Sequence, residues 1–324
     1  MNSVSNNVSL GIDIGGTNTA IGIVDNNGDV IVKTSIPTPN HADVNVYVDS
    51  MAHAINDLSV AVRHNMPDMS IVGIGIGAPN ANYYKGTIEY APNLSFKGVV
   101  PLVDLLRQKF PSVSKIAMTN DANAATMGEM IYGAAKGMKN FVMYTLGTGV
   151  GSGIVVDGKL VYGSDGFAGE CGHTMLVPGG RLCGCGIRGH LEAYCSAGGM
   201  KRTAFELLAD TNDVNSLLAA KRFSELTSKD ICDAALKGDV IARKVFDITG
   251  DYLARAIADT IHHVSPEAVF LFGGPTAAGN LIFDPIRRNL DSYLLPVFRG
   301  KAQILPSALK LGDAAIVGAA ALVG

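Results

Sequence analysis

The chain has 324 residues, 48% of them apolar and 17% charged, with a formal net charge of −3. This length suits two domains of about 150 residues each, and the apolar content excludes extensive disorder. No basic cluster indicates nucleic acid or an anionic membrane surface, and no apolar run reaches the roughly 20 residues of a membrane span. The polar first ten residues and five cysteines without framework spacing favour a cytoplasmic protein without a leader peptide.

The first 137 residues predict a β-meander followed by alternating helices and strands. Residues 10–25 form two strands around a Gly-Gly turn, and a turn at 25–28 leads into a third strand. From Val44 to Val62 apolar residues recur at steps of four and three, which predicts one face of a helix of about five turns. The next predicted elements are a strand at 71–77, a helix at 102–110, a strand at 115–119 and a helix from 121.

A second meander begins at 141 and weakly repeats the first. An offset of 131 residues places Gly16-Thr17 on Gly147-Thr148, and Asp157-Gly158 is a strong hairpin turn. No Pro- or Ser-rich linker separates the halves, so we expect two domains in close contact with a cleft between them. The later elements are helices from 191 to the 260s interrupted near 210–224, a strand at 267–272, a helix with Arg287 and Arg288, a strand at 303–305 and a small-residue helix at the end.

Two glycine turns are candidate phosphate-binding sites. Backbone N–H groups after a strand can meet phosphate oxygens where no side chain intervenes, threonine and asparagine can add hydrogen bonds, and Asp13 can hold Mg²⁺. Each turn could instead be merely a tight hairpin. Walker A is absent, which argues against a P-loop kinase. The candidates are Asp13, Gly15, Gly16, Thr17 and Asn18 in the first turn and Thr145, Gly147, Thr148 and Gly149 in the second.

The stretch 170–192 is dense in metal ligands. His173, Cys183, Cys185 and His190 are spaced to hold one tetrahedral, structural zinc ion, whose charge two thiolates would neutralise. The alternative is a pair of small core cysteines, or a redox pair, beside two solvated histidines. The G-x-G-x-x-G at 184–189 does not predict a dinucleotide site because no apolar strand runs into it.

Asp121 follows a predicted strand beside Asn120, on the side where the phosphate turns are expected. A carboxylate there can accept the proton of a hydroxyl that attacks a γ-phosphoryl group. Its structural alternative is the N-cap of the helix that follows.

Together these motifs resemble the ROK family of bacterial sugar kinases, most closely its glucokinase-like members, over essentially the whole chain. The match lies in D-I-G-G-T-N at 13–18, N-D at 120–121, L-G-T-G-V-G-S-G at 146–153, E-x-G-H at 170–173, C-G-C-G-I-R-G-H-L-E at 183–192 and G-G at 273–274.

The resemblance implies an α/β, two-domain, actin-like ATPase fold of the hexokinase and RNase H-like type, with a zinc-binding loop. We expect a small N-terminal domain at 1–120 plus 308–324 and a large domain at 121–307. It implies ATP, Mg²⁺ and structural Zn²⁺ as cofactors, a hexose as the other substrate, and a homodimer or homotetramer with no nucleic-acid or membrane partner.

Carried over by motif, Asp121 is expected to be the general base, and His173 is expected to bind zinc with one ring nitrogen and the sugar with the other. The sequence departs from the family pattern at two positions. His190 stands where the family usually has the third cysteine of its loop, and Asn80 stands where the family usually has the last glycine of G-x-P-G. The expected sugar ligands are Asn93, Asn120, Asp121, Glu170, His173 and Glu192, and Gly273 and Gly274 are expected at the nucleotide.

The function implied is ATP-dependent phosphorylation of glucose at its 6-hydroxyl. N-acetylglucosamine, N-acetylmannosamine, mannose and fructose are alternatives, because one methyl or hydroxyl group is worth only about 1–3 kcal/mol in a pocket. A repressor of this family that senses sugars is expected to carry a helix-turn-helix before its first strand. Only nine residues precede the first strand here, which disfavours that class of protein. The presence of Asp121 and of both glycine turns disfavours a sugar-binding protein with an inactive kinase site, because such a protein would not need them.

Overall fold

A computed structural model describes residues 7–38, 43–211 and 214–324. The chain divides into two compact units, which we call the N-terminal unit (1–137, 160–168 and 308–324) and the second unit (138–159 and 169–307). The sequence placed the first boundary at 120. The N-terminal unit extends beyond it because the helix after 120 packs against the C-terminal helix, where a Cβ atom added to Gly128 would lie 2.9 Å from Gly318 Cα.

The elements follow the predicted order closely. Up to residue 137 they are β1 Asn7–Ile14, β2 Asn18–Val24, β3 Val30–Pro37, α1 Val44–Arg63, β4 Ser70–Gly77, β5 Ala81–Asn82, β6 Thr87–Glu89, β7 Val99–Val100, α2 Leu102–Lys109, β8 Lys115–Thr119 and α3 Asp121–Ile131. The later elements are β9 Phe141–Leu146, β10 Val150–Val156, β11 Lys159–Leu160, α4 Glu192–Cys195, α5 Ala197–Thr211, α6 Ser228–Leu236, α7 Val240–Val264, β12 Ala268–Phe272, α8 Asn280–Tyr293, β13 Gln303–Pro306 and α9 Ala314–Ala320.

The main sheet of the N-terminal unit has the order β3-β2-β1-β4-β8. The meander β1-β2-β3 is antiparallel, whereas β1, β4 and β8 run parallel to one another. The carboxyl ends of these three parallel strands therefore meet at one edge of the sheet, where ligands of open α/β sheets usually bind.

The two faces of this sheet differ in side-chain size. One face carries branched residues such as Ile12 and Ile76, which form a buried core with Met51 and Ile55 of α1. On the other face β4 places glycine at every second position, and a Cβ atom added to Gly75 would overlap the carbonyl oxygen of Ala319. Glycine is thus required for α9 to lie directly on the sheet.

The second unit repeats this design. Its sheet has the order β11-β10-β9-β12-β13, in which β9 and β10 are antiparallel and β9, β12 and β13 are parallel. Both sheets thus follow one strand pattern, of which the internal repeat indicated only the meander that opens each sheet. The hairpin predicted at Asp157-Gly158 is confirmed, since both residues have positive φ angles of 51° and 72°. The core of this unit joins Tyr144 and Val269 of the sheet to Phe246 and Ile257 of α7.

One small sheet was not predicted. It has the order β5-β6-β7, and its strands of two or three residues are too short to show a period in the sequence. Across residues 7–38, 43–211 and 214–324, no helix combines the length and apolar character needed to cross a membrane.

Candidate functional site

Two carboxylates lie close together at the carboxyl edge of the first sheet. Asp13 is the penultimate residue of β1, and Asp121 is the first residue of α3. A Cβ atom added to Gly77, the last residue of β4, would lie 3.8 Å from Asp13 Oδ1 and 3.8 Å from Asp121 Cα. The three parallel strands thus bring the predicted Mg²⁺ ligand and the predicted base to one place.

The environment of Asp13 disfavours its charged form. Burial, and secondly the charge of Asp121, raise the pKa of the Asp13 carboxyl to about 6. The folded chain therefore holds this proton more tightly than the unfolded chain, whose carboxyl has a pKa of 3.8. Linkage then requires the contribution of Asp13 to folding stability to fall as the pH rises from about 4 to about 6.

The substitution Asp121→Asn is expected to lower the pKa of Asp13, because it removes the neighbouring negative charge while burial still raises the pKa. The carboxyl carbon of Asp13 can be followed by ¹³C NMR from pH 3 to pH 8 in Mg²⁺-free protein. A titration midpoint equal to that of the unsubstituted chain would show that the two carboxylates do not interact.

The start of α3 separates the roles of Asn120 and Asp121. Asn120 is the N-cap, and its Oδ1 accepts a hydrogen bond of 2.7 Å from Asn123 N. Asp121 Oδ1 accepts one of 2.8 Å from Ala122 N, and its side chain is exposed. Asn120 and not Asp121 therefore caps α3, so the N-cap role that was the structural alternative for Asp121 belongs to its neighbour.

The first glycine turn lies against the predicted sugar ligand Asn93. Gly15 N donates to Asn18 O at 3.0 Å and closes the turn between β1 and β2. A Cβ atom added to Gly16 would lie 3.0 Å from Asn93 O, so glycine permits this close approach. Thr17 and Asn18 are exposed at the tip. The turn and Asn93 thus form one surface of the N-terminal unit.

The backbone conformation of Asn80 explains how an asparagine can stand where the family pattern has a glycine. It has a φ of 50°, in the left-handed region that glycine adopts most easily and asparagine tolerates. Its Nδ2 donates to Glu89 O at 3.0 Å and to Tyr90 O at 3.4 Å. The asparagine therefore keeps the backbone conformation that a glycine would allow.

The second glycine turn connects β9 to β10 in the second unit. Gly147 N donates to Gly149 O at 3.0 Å, while Thr148 is exposed at the tip. A Cβ atom added to Gly273, which has a φ of 114°, would overlap Leu146 O. The structure therefore brings Gly273, which follows β12, against Leu146 at the end of β9, where Phe272 pairs with Thr145.

The E-x-G-H segment is held alongside β10. Ser152 Oγ accepts a hydrogen bond of 3.0 Å from Cys171 N and donates to Gly169 O. A Cβ atom added to Gly172 would overlap Val150 O, which explains the glycine of the motif. Glu170 and His173 flank this contact and are exposed. Ser152 was missed as a positioning residue, although it stands in the quoted motif 146–153.

Three of the four predicted metal ligands lie together. The donor atoms of Cys183, Cys185 and His190 lie within 4.8 Å of one another, and Cys185 Sγ is 3.2 Å from His190 Nδ1. His173 is outside this group, although its ring centroid is 5.3 Å from that of His190. Two sulfurs and an imidazole are a donor set suited to Zn²⁺, so the residues present fit the ion.

The cluster touches Glu192, a predicted sugar ligand. The Cys183 thiol donates to Glu192 Oε1 at 3.2 Å, and Val150 N donates to Glu192 Oε2 at 3.1 Å. Burial, with a further contribution from Glu192, raises the pKa of the Cys183 thiol to about 11. Both carboxylate oxygens are thus engaged within the second unit.

Arg181 anchors the cysteine loop. Its guanidinium bonds Glu206, Thr203 Oγ1 and the Gly199 carbonyl, and it lies 4.8 Å from the centre of the Tyr194 ring. The Arg181 side chain is only 14% exposed. The loop therefore has protein contacts that hold it independently of any metal. Sequence reasoning missed this residue because a single arginine carries no spacing signal.

Comparison with known proteins identifies the family of the chain. A family model described as the ROK family matches residues 9–324. The chain is 34% identical over 315 residues to a glucokinase of Thermotoga maritima, covering 97% of this chain and 96% of that protein. It is also similar to the crystal structure of a ROK family glucokinase from Streptomyces griseus in complex with glucose and AMPPNP, with a TM-score of 0.79, 33% identity, and coverage of 98% and 99% of the two chains.

Similarity also extends to a regulator. The structure of a ROK family transcriptional regulator, a homolog of the Escherichia coli MLC protein, matches with a TM-score of 0.86 and 25% identity over 100% of this chain and 78% of that one. The shared fold therefore serves both catalytic and regulatory proteins, and site residues must distinguish them.

Proposed function

The chain belongs to the ROK family, and from this premise we propose that it is an ATP-dependent hexose kinase that phosphorylates glucose at its 6-hydroxyl. The observation that carries this proposal is the pairing of Asp121 with Asp13 at one sheet edge, beside the first glycine turn. A sugar-sensing protein would have no need of a base beside a phosphate turn.

We propose Asp121 as the general base. It stands at the amino end of α3, and its carboxylate is exposed, with Oδ1 accepting a hydrogen bond from Ala122 N of its own helix. In the proposed reaction it takes the proton of the 6-hydroxyl while that oxygen forms a bond to the γ-phosphorus and the bond from phosphorus to the bridging oxygen of ADP breaks.

The phosphates would be held by backbone N–H groups of both glycine turns, supported by the side chains of Thr17, Asn18, Thr145 and Thr148. Gly273 and Gly274 would contact the nucleotide after β12. Asp13 would hold Mg²⁺, directly or through water, and the ion would supply positive charge next to the phosphates. The positions of the two turns and of Asp13 at strand ends support these assignments, while those of Gly273 and Gly274 rest on the family resemblance.

For the sugar we propose the ligands predicted from the family motifs, which are Asn93, Asn120, Glu170, His173 and Glu192. We propose that Cys183, Cys185 and His190 hold Zn²⁺, which would cross-link the loop next to these ligands. His173 as a fourth zinc ligand stays a prediction, as do the homodimer or homotetramer and the cytoplasmic location.

The proposal is tested by an ADP-release assay with Mg·ATP and enzyme of known zinc content. Glucose, N-acetylglucosamine, N-acetylmannosamine, mannose and fructose are compared at matched concentrations. We expect glucose to have the highest kcat/KM. A higher kcat/KM for another of these sugars would change the substrate, and the absence of turnover on all of them by folded, zinc-loaded protein would contradict the kinase.

A further inference from the structure

Three buried hydroxyl groups meet next to the first glycine turn. Thr19 follows the turn directly, as the second residue of β2. Its Oγ1 is hydrogen-bonded to Thr38 Oγ1 at 2.8 Å and to the Oη of Tyr47, a residue of α1. All three side chains are buried. Because a buried hydroxyl without a partner is costly, each member of this hydroxyl cluster fixes the positions of the others.

The hydroxyl cluster is joined to the turn at two points. Thr38 N donates a hydrogen bond of 2.9 Å to Thr17 O, at the tip of the turn. Thr19 is linked by its peptide bond to Asn18, whose carbonyl oxygen accepts the bond from Gly15 N that closes the turn. The directions of the backbone N–H groups in the turn therefore depend on where Thr19 and Thr38 lie.

Tyr47 is the rigidly held member of the cluster. It belongs to α1, a helix of 20 residues, and its ring stacks on the buried ring of Phe96, with the two centroids 5.5 Å apart. Burial raises the pKa of the Tyr47 phenol to about 12 despite its hydrogen bonds to Thr19 and Thr38, so the hydroxyl keeps its proton at neutral pH. Replacing this tyrosine by phenylalanine therefore removes a hydroxyl, keeps the ring and changes no charge.

We propose that Tyr47 is a positioning residue for the first glycine turn, whose backbone N–H groups its hydroxyl holds, through Thr19 and Thr38, in the arrangement that binds nucleotide phosphates. Tyr47 acts through the two threonines and not by contact with a ligand, because its side chain is buried. Without the hydroxyl, Thr19 Oγ1 keeps only one of its two partners and its side chain can reorient. Nucleotide then has to order the turn as it binds, which weakens binding.

This inference rests on the proposed function, because it takes the turn to be a nucleotide site. The test measures binding of a non-hydrolysable ATP analogue with Mg²⁺ by calorimetry, in the absence of sugar. We expect Tyr47→Phe to weaken binding about three- to tenfold, the equivalent of one hydrogen bond. The Kd for glucose, measured without nucleotide, should stay unchanged, because the phenylalanine ring keeps the stack on Phe96.

Ser59→Ala is the matched control. Ser59 is also a buried hydroxyl of α1, but its Oγ donates to Ile55 O at 2.7 Å, within the helix. Its removal should leave the affinity for the analogue unchanged. Circular dichroism and thermal unfolding check that each variant is folded, and they measure any loss of stability separately from the loss of affinity.

Substitutions at Thr19 test the same bond from its other side. Serine keeps a hydroxyl that can bond Tyr47 and Thr38, so Thr19→Ser should bind the analogue as the unsubstituted chain does. Thr19→Val lacks the hydroxyl and should lose at least as much affinity as Tyr47→Phe. Adding Tyr47→Phe to Thr19→Val should cause little further loss, because the bond between the two side chains is already absent.

An affinity for the analogue in Tyr47→Phe equal to that of the unsubstituted chain would overturn the inference. Equal losses of nucleotide and glucose affinity would also overturn it, since they would indicate a general effect on the N-terminal unit. Both outcomes leave glucose turnover by the unsubstituted enzyme intact and so spare the proposed function. Failure of the unsubstituted chain to bind the analogue at all would instead overturn the proposed function and this inference together.

Discussion

Asp121→Asn is expected to reduce kcat for glucose phosphorylation by about 10²- to 10⁴-fold, the range for loss of a positioned general base. Asparagine keeps the shape of the side chain and can keep the hydrogen bond from Ala122 N, but it cannot accept the proton of the sugar hydroxyl. Because the amide preserves the local contacts, the Kd for glucose measured by calorimetry should change little.

Asp104→Asn is the matched control. Asp104 is also an exposed carboxylate in the first turn of a helix of the N-terminal unit, but it lies in α2 and is not among the predicted site residues. Its kcat should equal that of the unsubstituted enzyme. If Asp121→Asn retained normal turnover, Asp121 would not be the base. Equal losses in both variants would indicate a general effect on the unit.

Gly75→Ala is expected to destabilise the N-terminal unit by about 3 kcal/mol or more, at the upper end of the cost of overpacking a core. The added methyl group would overlap the carbonyl oxygen of Ala319 and lie 2.7 Å from its carbon. These are backbone atoms of α9, so the helix itself has to move away from the sheet. Urea unfolding monitored by circular dichroism gives the change in free energy.

Gly312→Ala is the control for this substitution. A Cβ atom added there would meet no heavy atom within 4 Å, and its φ lies outside the left-handed region. Its stability should match that of the unsubstituted chain or rise slightly, because alanine reduces the freedom of the unfolded chain. Equal unfolding midpoints for Gly75→Ala and Gly312→Ala would show that α9 does not need a flat sheet surface.

Elements with a clear period or a clear turn signal could be predicted from the sequence. The helix α1 has apolar residues on one face over 20 residues, and the hairpin at Asp157-Gly158 has a turn pair with a defined conformation. The meander that opens each sheet was also visible as a weak repeat at 131 residues. These features depend on neighbours close in the chain, which a sequence displays directly.

Features that depend on distant parts of the chain could not be predicted in this way. The alternate glycines of β4 show their purpose only when α9, which begins at Ala314, lies on them. The contact between Gly16 and Asn93 joins residues far apart in sequence, and Asn93 entered the candidate site only through the family resemblance. The anchoring role of Arg181 likewise depends on Glu206 and Thr203 of α5.

The candidate metal ligands lie between these two cases. Cys183, Cys185 and His190 span only eight residues. Their grouping follows from a short loop that is closed by a hydrogen bond of 2.9 Å from Cys183 N to Ile187 O. His173 belongs to a separate segment, which Ser152 and β10 position, and spacing alone could not place its ring. Local spacing therefore predicted three ligands that the structure groups.

The most direct test of glucose phosphorylation is identification of the product by ³¹P and ¹³C NMR after incubation of zinc-loaded enzyme with Mg·ATP and [¹³C]glucose. We expect equimolar ADP and glucose 6-phosphate, with coupling between phosphorus and the carbon at position 6. Release of ADP and inorganic phosphate without a phosphorylated sugar, or a phosphate on another carbon, would contradict the proposed reaction.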